Sequence, residues 1–297
     1  HDDGRIDFHF DEERGLRNFE ESVSFAERIE ASASSLVRAM LAPDRIEGCT
    51  PALLQKTADV ARELDIPVRL HCCQSRLEFD RIVAFHGRSP LEWLQSLGVL
   101  SERFLLPHGE FICGTRNVER PGHDFEIVRD AGSTIVHCPI VSARHGGFID
   151  SFSKCRELGV RIGLGTDTWP PDAIRNMQVG IMVSRVVDGS TASVRSEHYF
   201  DAATVGGADA LRRPDLGRLE PGAKADIIVI DMANDRIGHV IDPIQTLMMS
   251  SSGHDVATVV IDGRFVMVDG EIPGFDFKAA QERAQRQFDG LVARYPD

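Results

Sequence analysis

Five short apolar runs recur through the first half of the chain, and helical patterns fill the gaps between them. Leu36–Ala42, Pro67–His71, Arg103–Pro107, Thr134–His137 and Val160–Thr166 each read as a buried strand. They begin roughly 30 residues apart, the length of one strand–helix unit. The stretches Thr50–Leu64, Pro90–Leu97, Phe125–Ala131 and Ser151–Leu158 are amphipathic at helical spacing. Thr50 and Pro51 form a helix start, a hydroxyl cap followed by a proline whose missing N–H costs nothing there. Gly132 and Gly159 stand where a helix ends and a strand begins, as left-handed caps do. Repeated units of this kind require a parallel sheet, either a closed barrel or a doubly wound one.

The rest of the chain is organised around that repeat. Asp11–Glu30 reads as an acidic helix whose charges form a solvated face. Two helices follow at about Asp172–Val187 and Phe200–Leu211. The pattern then changes to short β-rich runs, Ala225–Asp231, Val256–Asp262 and Arg264–Val268, with glycine turns at Gly222, Gly263 and Gly270. A closing helix is expected at Lys278–Ala293. The predicted domains are a strand–helix portion at 1–211, a small β module at 212–275 and a helix at 276–297.

Charge and cysteine usage exclude several classes. The chain has 46 acidic and 33 basic residues, a net charge of −13, so it lacks the basic surplus of a nucleic-acid or anionic-membrane binder. Its six cysteines include an adjacent pair but no C-x-x-C, and most sit in apolar runs. They read as small hydrophobes in a reducing compartment, and the cytoplasm is the expected location. No run approaches the roughly 18 apolar residues of a membrane span. The polar start at His1 resembles no signal peptide and lacks an initiator Met, so a further N-terminal segment is expected.

Four successive strand ends finish on an ionisable side chain. They are RLHCCQS with His71, LLPHGE with His108, IVHCP with His137 and GLGTDT with Asp167. The carboxyl ends of parallel strands form the working face of barrels and open α/β sheets, so the four converge on one rim. Imidazoles plus a carboxylate are the ligand set of a borderline divalent metal such as zinc. The chain has neither H-E-x-x-H nor the H-x-E with P-C-x-x-C of the cytidine-type deaminases.

LHCCQS, HCPIVSARHGG, RELGVRIGLGTDTWP, AATVGGADALRR, DLGRLEPGAKADIIVID and VIDGRFVMVDGEI stand in order between about residues 36 and 272. Together they resemble the amidohydrolase superfamily, in its branch of cytosine, guanine and methylthioadenosine deaminases and triazine hydrolases. The resemblance implies an α/β fold comprising strands 4–8 of a (β/α)8 TIM barrel, with the C-terminal part of a small β-sandwich. It also implies an enzyme that hydrolyses non-peptide C–N bonds of a nitrogen heterocycle or amide, with hydroxide generated on one divalent metal, zinc first and iron second. A small molecule is the expected partner. The alternatives are a triazine-type chlorohydrolase on the same scaffold and a non-catalytic truncated fragment.

By the same resemblance, His71 and Asp167 are metal ligands. Asp167 also relays a proton, and His108 binds substrate or polarises the attacked centre. His137 shapes the rim or has a purely structural role. From their positions in the chain, Arg144 reads as part of a specificity loop or an ordinary turn, and Trp169 as a pocket wall or part of a Pro-rich turn that only redirects the chain. Two departures matter. The family's first-strand His-x-His is absent, and His9 reads as a surface residue. The family's proton-carrying Glu, three residues after the fifth-strand His, is replaced by Gln74. An amide exchanges no proton near neutral pH, so Gln74 is expected to grip substrate. Glu78 and Glu110 are candidate replacement acids, with a solvated charge the plainer reading of each. With five strands of eight, the isolated chain is expected to be marginal and inactive unless a second copy or further N-terminal segment completes it.

Overall fold

The computed structural model describes residues 9–150 and 152–295. His1 and Ser151, the first residue of one expected helix, fall outside the described residues. Helix α1 (Glu12–Ala31) begins on Asp11, whose carboxylate caps the Arg14 N–H at 2.9 Å. Strand β1 (Leu41–Arg45) leads through a single 3-10 turn into α2 (Pro51–Glu63). There the Thr50 hydroxyl accepts from the Leu53 N–H and Pro51 fills the first turn, as expected. The following elements are β2 (Val68–His71), α3 (Arg76–His86), α4 (Pro90–Ser96), β3 (Phe104–Pro107), α5 (Asp124–Ala131), β4 (Thr134–His137), α6 (Pro139–Arg144), α7 (Phe152–Glu157) and β5 (Arg161–Leu164). Gly132, at φ 70°, ends α5, and Gly159, at φ 74°, follows α7.

Strands β1 to β5 form one parallel sheet in chain order. That is the sequence of strand–helix units read from the spacing. Val68, Leu70, Phe104, Leu106, Ile135 and Ile162 belong to one core with Leu54, Ala58 and Ala61 of α2. Burial of each large aliphatic side chain contributes about 1.5–3 kcal/mol.

The first strand corrects an expectation. Leu36 and Val37, the start of the anticipated run, are exposed at 53% and 51%. The strand lies at Leu41–Arg45 because the backbone ladder starts there, with the Leu41 N–H donating to the Pro67 carbonyl at 3.0 Å. Apolar character marked the approach to the strand, and pairing marks the strand itself.

Past β5, α8 (Ala173–Asp188), α9 (Ser196–Ala203) and α10 (Val205–Ala210) pack beside the sheet. Strand β6 (Ile227–Ile230) then begins a second, three-stranded antiparallel sheet. Between it and its neighbour the chain returns to the first layer as α11 (Pro243–Ser250), whose Leu247 and Met248 enter the main core. Strands β7 (Val256–Ile261) and β8 (Arg264–Met267) complete the small sheet, and α12 (Phe277–Val292) closes the chain. Among the described residues, no helix is long and apolar enough to cross a membrane.

Candidate metal centre and adjoining cavity

The period of two along β2 sends Val68 and Leu70 into the core and turns Arg69 and His71 to the other face. The His71 Nδ1 lies 2.8 Å from the backbone carbonyl of Asp44, at the carboxyl end of the adjacent strand. A carbonyl only accepts, so Nδ1 carries the proton and Nε2 keeps its lone pair. A carbonyl partner of this kind orients a metal-binding imidazole and fixes its tautomer.

His108 follows β3 and is almost fully buried. Its backbone N–H donates to the Val136 carbonyl of β4 at 2.9 Å, and Cys72 bridges to it from the β2 side. The His71 and His108 rings stack with centroids 5.5 Å apart. The His108 Nε2 lies 4.0 Å from Oδ2 of Asp167, just past β5, and among the described residues has no hydrogen-bond partner. Thus His71, His108 and Asp167 meet at the carboxyl ends of three strands, with His108 touching both others. Burial first, then His71 and Arg45, pushes the His108 pKa down to about 4 against the pull of Asp167. The imidazole is therefore neutral near pH 7.

Asp44, Cys73, His108 and Asp167 all take positive φ, at 77°, 60°, 82° and 56°. Non-glycine residues seldom adopt that region, and they concentrate where a site is over-determined by its surroundings. Each of the four lies at or just beyond a strand end, where it turns the chain sharply.

A cavity of about 330 Å3 opens beside His108, with Arg45, Gln74, Glu110, Ser142 and Gly147 in its wall. Gln74 lines the cavity. Its Oε1 accepts from Nη1 of Arg45 at 2.8 Å, while Nε of Arg45 donates to Glu47 at 2.7 Å. With its oxygen taken, the Gln74 amide presents its NH2 group as a donor.

The other anticipated residues stand farther out. His137 is buried beside the stacked rings of Phe152 and Tyr199, at 6.3 and 6.2 Å, and among the described residues its Nδ1 has no hydrogen-bond partner. Burial pushes its pKa down to about 3. Trp169 is 64% exposed and is not part of the cavity wall, where sequence placed it. Its ring lies under the Arg144 guanidinium at 5.5 Å, and Arg144 donates to its carbonyl at 3.1 Å. The pair forms an outer strap next to His145 and the two glycines that follow. His9 is exposed.

Glu78 and Glu110 are not solvated charges. Glu78 is fully buried at the start of α3, where its carboxyl accepts from the backbone N–H groups of Cys73 and Gln74. Burial pushes its pKa up to about 8. Ser75 caps the same helix by accepting from the Glu78 N–H. A Ser three residues before a Glu marks this helix start in the sequence, although the Glu78 carboxyl turns back to Cys73 and Gln74 and not to the Ser75 N–H. Glu110 is 5% exposed and accepts from the Ser142 hydroxyl. Asn176 was also missed. It is buried on α8, donates to the Gly165 carbonyl at 2.9 Å and accepts from the Ile140 N–H at 3.1 Å, tying the β5 and β4 loops together.

Among the described residues, the set of three donor atoms lying mutually within 4.8 Å is Cys72, Cys73 and Glu78. That set packs the start of α3. Its thiols are buried and protonated: burial raises the Cys72 pKa, and the hydrogen bond to Cys72, then burial, holds that of Cys73 well above its ordinary range. The rim is looser but chemically better suited, with a tautomer-fixed imidazole, an unpartnered buried nitrogen and a half-buried carboxylate.

Comparison with known proteins agrees with this geometry. Residues 8–266 match the amidohydrolase family. The chain is 29% identical over 288 residues to the 5-methylthioadenosine/S-adenosylhomocysteine deaminase of Halobacterium salinarum, covering 96% of this chain and 65% of the relative. It is 30% identical over 277 residues to the enzyme of that name from Pyrococcus horikoshii, covering 92% and 63%. The chain therefore spans less than two-thirds of the length of these relatives. Its fold matches a zinc-bound adenosine deaminase from Xanthomonas campestris with a TM-score of 0.85 at 22% identity, covering 93% of this chain and 62% of the other. It also matches a mutant atrazine chlorohydrolase from Arthrobacter aurescens TC1, complexed with zinc and atraton, with a TM-score of 0.79 at 21% identity, covering 90% and 60%. With its parallel sheet, its rim of histidines and aspartate and a match that runs through both sheets, the chain belongs to the amidohydrolase family.

Proposed function

We propose that this chain carries the metal and substrate site of a hydrolase that breaks a non-peptide C–N bond in a nitrogen heterocycle and releases an amine or ammonia. The observation that carries the reading is the contact line His71–His108–Asp167 at three strand ends. We read β1 to β5 as strands 4–8 of a (β/α)8 barrel and the small sheet as part of a β-sandwich, with the open edges at β1 and β5 as support. In this reading the barrel portion is 1–211, the β module 212–275 and the closing helix 276–297. The six free, buried cysteines suit a reducing compartment such as the cytoplasm.

His71 Nε2 and the Asp167 carboxylate are the groups that would hold a divalent metal, zinc by the chemistry of imidazole and carboxylate donors. Such an ion supplies an activated water at neutral pH and polarises the attacked centre. Asp167 accepts a proton from the attacking water. Neutral His108 meets the substrate atom that gains negative charge, and its burial keeps competing water away. Gln74 donates from its NH2 to an acceptor on the substrate. Arg144 and Trp169 stand outside the cavity wall as an outer strap, and buried His137 supports the rim.

The test is metal content and ammonia release from 5-methylthioadenosine by the intact protein. His71→Ala and Asp167→Asn should each lower bound zinc at least tenfold and the rate by about 100-fold or more. Unchanged metal content in both variants would sink the assignment. One observation favours a second reading, a chlorohydrolase. Gln74 carries no proton, and a halide leaves without needing one. Chloride release from a chlorotriazine, with no ammonia from the nucleoside, would select it.

A further inference from the structure

The reaction proposed above leaves a proton unaccounted for. An amine leaves a carbon readily only when its nitrogen is protonated as the C–N bond breaks, and position 74 holds an amide. The structure gives a reason beyond the residue type. Arg45 places Nη1 2.8 Å from the side chain of Gln74. A carboxylate at position 74 would sit in a charge-assisted pair with that guanidinium and stay ionised, unable to deliver a proton near neutral pH.

The same cavity holds one carboxyl group without such a partner. Glu110 shares its wall with Gln74 and His108 and lies two residues past His108. Four groups in that wall carry or can carry positive charge: Arg45, Arg76, His108 and His145. Arg45 is engaged by Glu47 and Gln74, and Arg76 by Asp80. Among the described residues, the Glu110 carboxyl is paired with the Ser142 hydroxyl. Burial accordingly raises its pKa. The local backbone is shaped around this group. A Cβ at Gly147 would collide with Oε2 of Glu110, so only glycine leaves the second oxygen its place. Asn117 holds the Glu110 carbonyl at 2.9 Å and the Phe148 carbonyl at 2.8 Å, joining the two loops that carry Glu110 and Gly147.

We infer that Glu110 is the proton-carrying acid of this site, taking the task that Gln74 cannot perform. The inference rests on the C–N hydrolase reading. Water oxygen bonds to the attacked carbon as one of its protons passes to a carboxylate of the site. The C–N bond then breaks with its electron pair on nitrogen, and that nitrogen takes the proton carried by Glu110. The second water proton stays on the product, and the first passes from that carboxylate back to Glu110 and restores its acid form, so one water is consumed and one amine released. Ser142 keeps Oε1 engaged and leaves Oε2 to face the exchange. Ser142 is a positioning residue, acting through Glu110.

Two readouts test the inference. The first is kcat for ammonia release from 5-methylthioadenosine by the zinc-loaded intact protein. Glu110→Gln, whose amide oxygen still accepts from Ser142, should lose about 100-fold or more in kcat, with zinc content and KM within about threefold of wild type. Gln74→Glu in the Glu110→Gln background should restore nothing, because Arg45 holds the new carboxyl ionised. The second readout needs no turnover. The infrared difference spectrum of wild type minus Glu110→Gln at neutral pH should contain the carbonyl band of a protonated carboxyl. Retention of kcat in Glu110→Gln, rescue by Gln74→Glu or absence of the band would each overturn the inference. A wild-type protein that binds zinc but releases no ammonia would instead remove the hydrolase reading, and the infrared band would still decide whether Glu110 holds a proton.

Discussion

Helices α2 and α12 are written in the same amphipathic grammar, and the molecule treats them differently. The 13-residue α2 buries Leu54, Thr57, Ala58 and Ala61 against the parallel sheet. The 16-residue α12 buries nothing, and Phe277, Phe288, Leu291 and Val292 stand 50–59% exposed. The two sheets repeat the contrast. Strand β3 is buried at every residue, whereas Ile228 and Val229 of β6 are half exposed and Phe265 of β8 is 70% exposed. Amphipathic pattern states which face a helix offers, and a partner supplies the free energy. Since isolated helices are marginal in water, the stability of these residues resides in the parallel sheet and its helices. The rim with His71, His108 and Asp167 is built on that half.

The contrast is broken first by truncation in the core. Leu54→Ala should lower the free energy of unfolding by about 2–5 kcal/mol, measured by denaturant titration, because Leu54 is completely buried. A loss below about 1 kcal/mol would show that α2 is no better anchored than α12. Acid supplies a second probe, whose effect is spread over several pH units. His108 and His137 have pKa values pushed down to about 4 and about 3, while an unfolded histidine titrates near pH 6.5. Below pH 6.5 the unfolded chain binds protons that the folded chain refuses. Folded stability therefore falls as pH drops from about 6.5 towards 4, by up to about 1.4 kcal/mol per pH unit for each histidine. Amide exchange should show protection lost in β3 and β4 over that window while the small sheet stays unchanged. Equal loss in both sheets would place the titrating groups elsewhere. The smallest effect is expected at the exposed end. Leu291→Ala should change stability by less than about 0.5 kcal/mol in the same titration, and a loss matching that of Leu54→Ala would mean that α12 is covered in solution.

Legibility followed the same division. Strands β2, β3 and β4 sit where the apolar runs lie, because a strand covered on both faces leaves a continuous apolar signature. The rim residues were legible because each follows such a run. Strand β1 was misplaced, since Leu36 and Val37 are apolar without being paired. Helix α3 was missed although Ser75 and Glu78 announce its first turn. Helix α11 was missed although Asp242 and Pro243 do the same, with Asp242 accepting from the Gln245 N–H at 2.9 Å. The burial of Glu78 and Glu110 has no signature in single-residue character. It arises from loops converging in space, and for Glu110 the nearest hint was the Gly146-Gly147 pair that makes room for it.

The four left-handed corners at Asp44, Cys73, His108 and Asp167 bear on how this site can change over evolutionary time. A β-branched residue at any of them meets steric resistance before its chemistry is tried, whereas Asn, Asp, His and Gly adopt the conformation more readily. Backbone shape thus filters the variants on which selection can act, and the residues that pass are largely those able to bind metals or hold protons. Glycine passes the same filter and carries no group, so a change at one of these corners tends either to keep a polar side chain or to lose it altogether.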